Sequence, residues 1–318
     1  MTELVVRCLS PGEEKLFDSL PDPGLVGFAA LGRTFLDMYA EEYYRPQWCF
    51  VALRGDTVVA RAAWWAGPDD PEPFTLDWFD FRAGERKAGA KLLQIAPFRT
   101  EYSLRVPPDW REEPLVRAAA EDRLAAAGAA GMRVLVERYI YRWTPENGIP
   151  ERPGRLIFRP EPDDGVVFDL LRRIEVGSLD AHSRRAATEY GPYTAAAQEL
   201  DILLRMPGPR DWWRLAFDQR GEMVGFVAPT RNVSSANVGF VGVLPEHRGQ
   251  SYGYDLLVEA THLLAAAGAD PDHRRDRPGQ PADGRRLRPG RVPGGQPPHR
   301  PGLTRRTRKG IPHCGIPF

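Results

Sequence analysis

The sequence predicts a layered α+β protein made of two related domains followed by a disordered tail. Two observations indicate the domains: strand and helix patterns alternate along most of the chain, and one hairpin-to-helix order occurs twice. The third observation is a change of composition near residue 270. A length of 318 residues agrees with two domains. The predicted boundaries are 1–148, 149–268 and 269–318.

Two β-hairpins of the same kind are predicted, one in each domain. Trp48–Leu53 and Thr57–Trp65 form the first, and Trp213–Asp218 and Met223–Pro229 form the second. In both, an aromatic-rich strand is followed by a polar turn containing Gly and by an apolar strand, which is the pattern of a hairpin.

Two helix endings are also alike. Leu124–Gly128 and Leu264–Gly268 share the letters LAAAG, with Gly where a helix C-cap favours a left-handed residue. Upstream, Val106–Arg111 parallels Val243–Arg248. We therefore predict an internal duplication. In the first copy a strong strand, Met132–Tyr141, is expected next, whereas the second copy continues with polar residues.

The second copy begins after a linker. Thr144–Gly154 contains several Pro and Gly residues and separates the two copies. Arg155–Arg159 then opens the second copy as a strand, and the apolar periodicity of Val166–Ile174 and Thr194–Leu204 predicts two helices.

The tail from Asp270 onward is rich in residues that resist folding. It contains ten Pro and eight Gly in 49 residues. It carries twelve Arg or Lys against four Asp or Glu, a net charge of +8, so the rest of this neutral chain carries −8. Because Pro removes backbone donors and Gly raises the entropy cost of ordering, disorder is predicted from 269 to 318.

The composition excludes several classes of protein. No apolar run approaches the ~20 residues of a membrane-spanning helix, and the N-terminus lacks the features of a signal peptide. Cys8, Cys49 and Cys314 are isolated, which argues against structural zinc and against a secreted disulfide scaffold. We expect a cytoplasmic protein with no membrane partner and no bound metal.

One strand-turn-helix segment has the features of an anion site. The predicted strand Ala236–Val243 leads through a turn into a helix that starts near Ser251. The first amides of a helix have no internal partner, and the helix dipole favours negative charge there. Gly249 and Gly253 allow close approach to a phosphate, and Arg248 adds a cation. An ordinary strand-to-helix turn explains the same glycines. The apolar stripe of the helix is Leu256, Leu257, Ala260, Leu263, Leu264 and Ala267.

Residues 241–253 resemble the acetyl-CoA signature of the GCN5-related N-acetyltransferases. That signature is Gln or Arg, two residues, Gly, one residue, then Gly or Ala. Arg248 and Gly253 match its ends, whereas Ser251 stands where the family normally has Gly. A Ser can serve as a helix N-cap, but its Cβ crowds the phosphate approach.

The resemblance implies a fold, a cofactor and a reaction. The fold is a mixed, mostly antiparallel sheet flanked by helices. The co-substrate is acetyl-CoA, with backbone groups of Val241 and Val243 on its pantetheine arm and the amides of Gly249–Gly253 on its pyrophosphate. The reaction is direct acetyl transfer to a primary amine. The implied binding residues are Val241, Gly242, Val243, Arg248, Gly249, Gln250, Ser251, Tyr252 and Gly253.

The first copy departs from this signature. After Arg111 it has Glu112-Glu113-Pro114, where two carboxylates repel phosphate and Pro removes an amide. We expect a degenerate domain of the same family that does not bind CoA.

The second copy lacks the family's ending. The family continues with a strand, a helix whose Tyr protonates the departing thiolate, and closing strands, none of which is readable after Gly268. GC-rich codons for Pro271–His299, read one base later, yield a peptide with a helix pattern and a Tyr. We hypothesise a reading-frame shift, which sequencing of the coding DNA tests.

No catalytic residue is predicted. Tyr252 and Tyr254 lie on the cofactor helix, where a packing role is expected. Glu199 and Asp201 are either solvated helix-end charges or neighbours of an acceptor amine. His247 is expected to be a turn residue.

Three functions follow from these observations. The first is an N-acetyltransferase acting on a primary amine of a small molecule or peptide, inactive if the ending is lost. The second is a non-catalytic CoA-binding or regulatory module. The third is nucleic-acid binding through the basic segment Arg274–Lys309, but no reader motif accompanies it, so no specific nucleic acid is expected. The sequence does not predict the oligomeric state.

Overall fold

The computed structural model describes residues 3–67, 70–161, 163–231 and 236–268, and the backbone of 313–317. The chain divides into two compact units, Met1–Arg142 with Gly310–Phe318, and Trp143–Lys309. The predicted boundary was placed after residue 148. The proposed frame shift and most of the predicted disordered tail lie outside the described residues.

The first unit is a seven-stranded sheet with helices on both faces. Its strands follow the order β1-β2-β3-β4-β5-β11-β6. All described neighbours are antiparallel except β4 and β5, which pair in parallel through Thr75 with Glu101 and Leu76 with Tyr102. The elements are β1 (Leu4–Cys8), α1 (Glu14–Asp18), α2 (Phe35–Ala40), β2 (Cys49–Arg54), β3 (Thr57–Trp65), β4 (Thr75–Phe81), α3 (Arg86–Ile95), β5 (Glu101–Val106), α4 (Pro114–Ala129), β6 (Arg138–Ile140) and β11 (His313–Pro317).

The second unit is a four-stranded antiparallel sheet in the order β10-β9-β8-β7. Helices α5 and α7 share one core with the sheet, and α8 covers a second core. The elements are β7 (Ile157–Pro160), α5 (Asp164–Glu175), α6 (Ala181–Tyr190), α7 (Pro192–Arg205), β8 (Arg214–Phe217), β9 (Met223–Arg231), β10 (Ala236–Val243) and α8 (Tyr252–Ala266). The predicted mixed, mostly antiparallel architecture flanked by helices is confirmed.

Apolar spacing explains why α5 packs on this sheet. Val167, Leu170, Leu171 and Ile174 recur at helical intervals and are all buried. They meet Phe226 and neighbouring residues of β9 in one core. Burying each such side chain contributes roughly 1.5–3 kcal/mol, so this stripe fixes α5 on the sheet. The side chain of Asp163 caps the helix by accepting from the amide of Gly165 at 2.7 Å.

Both predicted hairpins are confirmed, but three other expectations are wrong. Gly128 lies inside α4, and the left-handed glycine after that helix is Gly131, whereas Gly268 follows α8 as predicted. Most of Met132–Tyr141 is not a strand: within the described ranges only Arg138–Ile140 pairs with another strand, β11. Leu257 is 44% exposed, and Ala267 is exposed just after the end of α8, so both lie outside the buried stripe of that helix.

The predicted correspondence between the two copies is shifted by one strand and one helix. In the second unit, β10 pairs with the hairpin strand β9 and leads into α8. In the first unit the strand in this position is β4, which leads into α3. The counterpart of the signature turn is therefore Arg82–Glu85, not Arg111–Pro114. The shared LAAAG endings are misleading, because Ala-rich ends occur in helices that occupy different positions in the fold.

Candidate functional site

Strand β10 has an open edge. Among the described residues it pairs only with β9. The amide of Leu244 donates to the carbonyl of Val224 at 2.8 Å, and Gly242 lies opposite Phe226 in the same register. Antiparallel pairing alternates, so the backbone groups of Val241 and Val243 face away from β9. The carbonyl of Val243 accepts from Nε of Arg248 at 3.2 Å, so the structure leaves the main-chain groups of Val241 and the amide of Val243 toward the open edge.

The turn after β10 leaves a run of main-chain donors unused. His247 and Arg248 donate their amides to the carbonyls of Leu244 and Pro245 at 2.9 and 3.3 Å. The next five amides, Gly249–Gly253, donate to no described residue. A Cβ built on Gly249 or Gly253 meets no atom within 4 Å. The predicted donors are unoccupied and accessible, as an anion site requires.

Arg155 determines which way these amides point. Its guanidinium donates to the carbonyls of Gln250 and Ser251 at 3.0 and 3.4 Å. It also donates to the carboxylate of Asp255, whose side chain is 1% exposed. In a trans peptide the N–H lies opposite the C=O. Holding these two carbonyls therefore directs the amides of Ser251 and Tyr252 to the opposite side, away from Arg155.

Arg248 has a different role from the predicted one. Its Nε donates to the carbonyl of Val243 at 3.2 Å, and its Nη1 donates to Val176 and Gly177 at 2.9 Å each. Its Nη2 donates to the carbonyl of Ile174. The guanidinium therefore closes the C-terminal end of α5 and ties it to the loop. It is a positioning group, not a free cation beside a phosphate.

Ser251 explains why the signature normally has Gly at this place. Its φ of 61° and ψ of 19° are left-handed, and its side chain makes no capping hydrogen bond. The expectation that Ser251 acts as a conventional N-cap is wrong. A residue with a Cβ in this conformation costs about 1–2 kcal/mol, which Gly avoids.

The remaining predicted binding residues are Gly242, Gln250 and Tyr252. Gly242 permits close packing, because a Cβ there would lie 2.6 Å from Cγ2 of Ile174. Gln250 is exposed, and Tyr252 is half-buried with the Arg155 guanidinium 5.2 Å from its ring centroid. This contact agrees with a packing role for Tyr252.

Two acidic residues weighed as neighbours of an amine differ in environment. Asp201 is exposed and pairs with Arg205 at 2.7 Å, as expected of a solvated charge. Glu199 is half-buried, and burial raises the pKa of its carboxyl. The sequence patterns did not identify Arg155 and Asp255 as residues that hold the loop. The one available signal was the acidic side chain of Asp255 in the first turn of α8.

The first unit fills its equivalent opening with its own chain. Strands β4 and β5 pair over only two residues. The segment before α2 enters the gap, where the amide of Gly27 donates to the carbonyl of Arg105 at 2.7 Å and Val26 is buried. This plug, and not the acidic turn at Glu112-Glu113, occupies the space between the two strands.

The described residues contain neither a membrane-spanning helix nor a cluster of metal-ligating side chains. None of the helices there is both long and apolar enough to cross a membrane. In the same residues no three His, Cys, Asp or Glu side chains are arranged to hold a metal ion.

Comparison with solved structures finds similar chains. A GCN5-related N-acetyltransferase from Sphaerobacter thermophilus is 13% identical, with 84% of each chain covered and a TM-score of 0.47. A tandem GNAT protein from the clavulanic acid biosynthesis pathway is 16% identical, with 86% of this chain and 91% of that chain covered and a TM-score of 0.41. No protein-family model and no curated protein matches the sequence. Scores at this level do not assign a family, so the function rests on the geometry of the site.

Proposed function

We propose that the second unit binds acetyl-CoA and transfers its acetyl group to a primary amine of a small molecule or peptide. The observation that carries this proposal is the run of five amides at Gly249–Gly253, at the N-terminus of α8, that donate to no residue in the described part of the chain. Backbone donors at a helix N-terminus bind phosphate groups through hydrogen bonds and the helix dipole. We place the reaction in the cytoplasm.

The open edge of β10 favours CoA over other diphosphates. The pantetheine arm carries amide groups, and an extended ligand can pair with an exposed strand edge as an added strand does. Val241 offers its amide and carbonyl on this edge and Val243 offers its amide, directly before the loop. A ligand with a diphosphate at Gly249–Gly253 and an amide-bearing arm along β10 satisfies both sets of donors.

The chemistry requires little from the protein beyond orientation. The thioester is an activated acyl group, so no covalent enzyme nucleophile is needed. Arg155, Asp255 and Arg248 hold the loop, and the edge of β10 aligns the arm. Fixing the two reactants in place accounts for a large part of such a rate enhancement.

A non-catalytic CoA-binding module is the alternative. One observation favours it: among the described residues no strand covers the outer edge of β10. A site open on that side excludes water less well, and water exclusion strengthens the electrostatic interactions of a reaction site.

Calorimetry with acetyl-CoA on the full chain tests the proposal. We expect one binding site per chain, because the opening in the first unit is filled. In Gly253→Val the added Cβ meets no atom within 4 Å outside the neighbouring backbone of its own helix, and the side chain obstructs the approach to the amides. This variant should keep its thermal stability and lose affinity at least about tenfold. Undetectable binding of acetyl-CoA to the wild-type protein would contradict the proposal.

An assay for the release of free CoA thiol in the presence of amines distinguishes the transferase from the non-catalytic CoA-binding module. Thiol release that depends on both the amine and the protein supports the transferase. Binding without thiol release supports the non-catalytic module.

A further inference from the structure

The segment before β7 is fastened along one face of α8. Nε2 of His262 donates to the carbonyl of Pro150 at 2.8 Å. Nε of Arg152 donates to Oε2 of Glu259 at 2.7 Å. Arg155, which holds the loop before α8, makes the third attachment to the same helix. The partners on α8 recur every three to four residues, so they lie on one face of the helix.

A pocket of about 340 Å³ lies between this segment and α8. Leu156 and Phe158 line it with apolar surface, and both belong to the core beneath α8. They are two residues apart, so they lie on the same side of the extended chain. Arg152 and Glu259 line the pocket with charged groups. Its volume is near the lower limit of the roughly 300–1,000 Å³ of small-molecule sites, which suits a ligand of amino-acid size.

The guanidinium of Arg152 has donors that its ion pair does not use. Within the described part of the chain only its Nε donates a hydrogen bond, whereas Nη1 and Nη2 donate to no described residue. A guanidinium presents its N–H groups in a planar fork that matches the two oxygens of a carboxylate. Arg152 can therefore pair with Glu259 and with the carboxylate of a ligand at the same time.

The carboxylate of Glu259 has an acceptor that its ion pair does not use. The residue is only 7% exposed, and while Oε2 accepts from Arg152, Oε1 accepts from no described residue. A buried carboxylate oxygen without a donor is costly, and an ammonium group in the pocket supplies that donor. The other acid of the pocket, Asp255, is different, because Arg155 donates to both of its oxygens.

We propose that this pocket binds a free α-amino acid with an apolar side chain, at a second site separate from the proposed acetyl-CoA site. The ligand carboxylate lies on Nη1 and Nη2 of Arg152, and the ligand ammonium donates to Oε1 of Glu259. Both charged groups of an α-amino acid are attached to one carbon atom, so they fit the adjacent charges of a single ion pair. The ligand side chain packs on Leu156 and Phe158. The inference goes beyond the proposed function, because Arg152 and Glu259 form no hydrogen bond with Gly249–Gly253.

Calorimetry with L-leucine on the full chain tests this inference. Two analogues each lack one charged group: 3-methylbutylamine is leucine without its carboxylate, and 4-methylpentanoate is leucine without its ammonium. Wild-type protein should bind leucine, and each analogue should bind at least about tenfold more weakly. No binding of leucine, or equal affinity for leucine and either analogue, overturns the inference.

Arg152→Lys tests the guanidinium fork without removing the charge beside Glu259. Lysine lacks the planar fork, so affinity for leucine should fall at least about tenfold, whereas affinity for 3-methylbutylamine should not change. Arg173→Lys, in an ion pair with Glu246 at 2.6 Å, is the matched control and should bind leucine like wild type. An unchanged leucine affinity in Arg152→Lys overturns the inference. The analogue series on wild-type protein gives the answer independently of how well this variant folds.

Amide NMR signals locate the bound ligand. Leucine should shift the signals of Gly154 and Glu259, which line the pocket, more than those of Gly249 and Gly253. Larger shifts at Gly249 and Gly253 would place leucine at the loop and overturn the inference. Failure of wild-type protein to bind acetyl-CoA contradicts the proposed function instead, so the two failures are distinguishable.

Discussion

The guanidinium of Arg155 donates to the carboxylate of Asp255, with 3.1 Å between Nε and Oδ2. The two residues are 100 positions apart in the sequence. The same guanidinium holds the carbonyls of Gln250 and Ser251. A residue just before the first strand of the second unit therefore sets the orientation of the loop before its last described helix. Asp255 is buried, so the pair is shielded from solvent on one side.

Arg155→Lys should weaken acetyl-CoA binding about tenfold. Lysine keeps the positive charge but cannot donate to two carbonyls and a carboxylate in a fixed fork. Calorimetry measures the affinity. Arg172→Lys, in an exposed pair with Asp169, is the control and should change nothing. Equal affinities for Arg155→Lys and wild type would show that the fork does not organise the loop.

Ser251→Gly should both stabilise the second unit and tighten acetyl-CoA binding. Gly removes the left-handed strain, worth about 1 kcal/mol, and the Cβ beside the proposed phosphate. Glu42→Gly relieves the same kind of strain, at a φ of 64°, in the first unit. Thermal unfolding and calorimetry should show stabilisation by both changes, with tighter binding only for Ser251→Gly. Tighter binding by both variants would count against the predicted contact.

Arg248→Gln should destabilise the ligand-free protein. The change removes hydrogen bonds to Ile174, Val176 and Gly177 and releases the end of α5. Each such bond from a charged group contributes about 1.5–3 kcal/mol. Arg173→Gln, in an exposed pair with Glu246 at 2.6 Å, is the control. An unchanged unfolding temperature for Arg248→Gln, together with lost CoA affinity, would mean that Arg248 acts on the phosphate directly.

Much of the fold could be predicted because an apolar run between two turns shows closely where a strand begins and ends. Thr57–Trp65 and Ala236–Val243 agree with β3 and β10 to the residue. The failures have physical reasons. Met132–Tyr141 has the composition of a strand, but only Arg138–Ile140 pairs with a strand that the structure describes. The two LAAAG endings belong to helices in different positions, because helix propensity carries no information on topology.

Of the candidate site, only the backbone donors could be predicted from the sequence. Glycines and helix onset are local features, so the donors at Gly249–Gly253 are readable from the sequence. The side chains that hold them are not. Arg155 and Asp255 are 100 residues apart in the sequence, so no local pattern indicates that they pair. Arg248 is a cationic residue of the kind that binds phosphate. Its guanidinium instead donates to three carbonyls at the end of α5.

The contribution of Asp77 to the stability of the first unit should fall as pH rises from about 4 to 7. Burial raises the pKa of Asp77 to about 7, opposed by a hydrogen bond from Tyr44 at 2.8 Å and by the charge of Arg105. In the unfolded chain the pKa is near 3.9. The folded state therefore holds a proton that the unfolded state has lost, and this disfavours folding increasingly until pH 7.

Asp77→Asn should remove this part of the pH dependence, which amounts to a few kcal/mol at most. Urea unfolding at pH 5 and pH 8, followed by tryptophan fluorescence, gives the difference between variant and wild type. Asp109→Asn, at an exposed residue, is the control. A wild-type protein that is more stable at pH 8 than Asp77→Asn would contradict the raised pKa.

An amide-resolved NMR titration tests the central claim most directly. Isotope-labelled full-length protein is titrated with acetyl-CoA and, separately, with acetyl-pantetheine, which lacks the diphosphate. The amide signals of Gly249, Ser251 and Gly253 should shift with acetyl-CoA and stay in place with acetyl-pantetheine. Signals at Gly249–Gly253 that do not move at saturating acetyl-CoA would contradict the account.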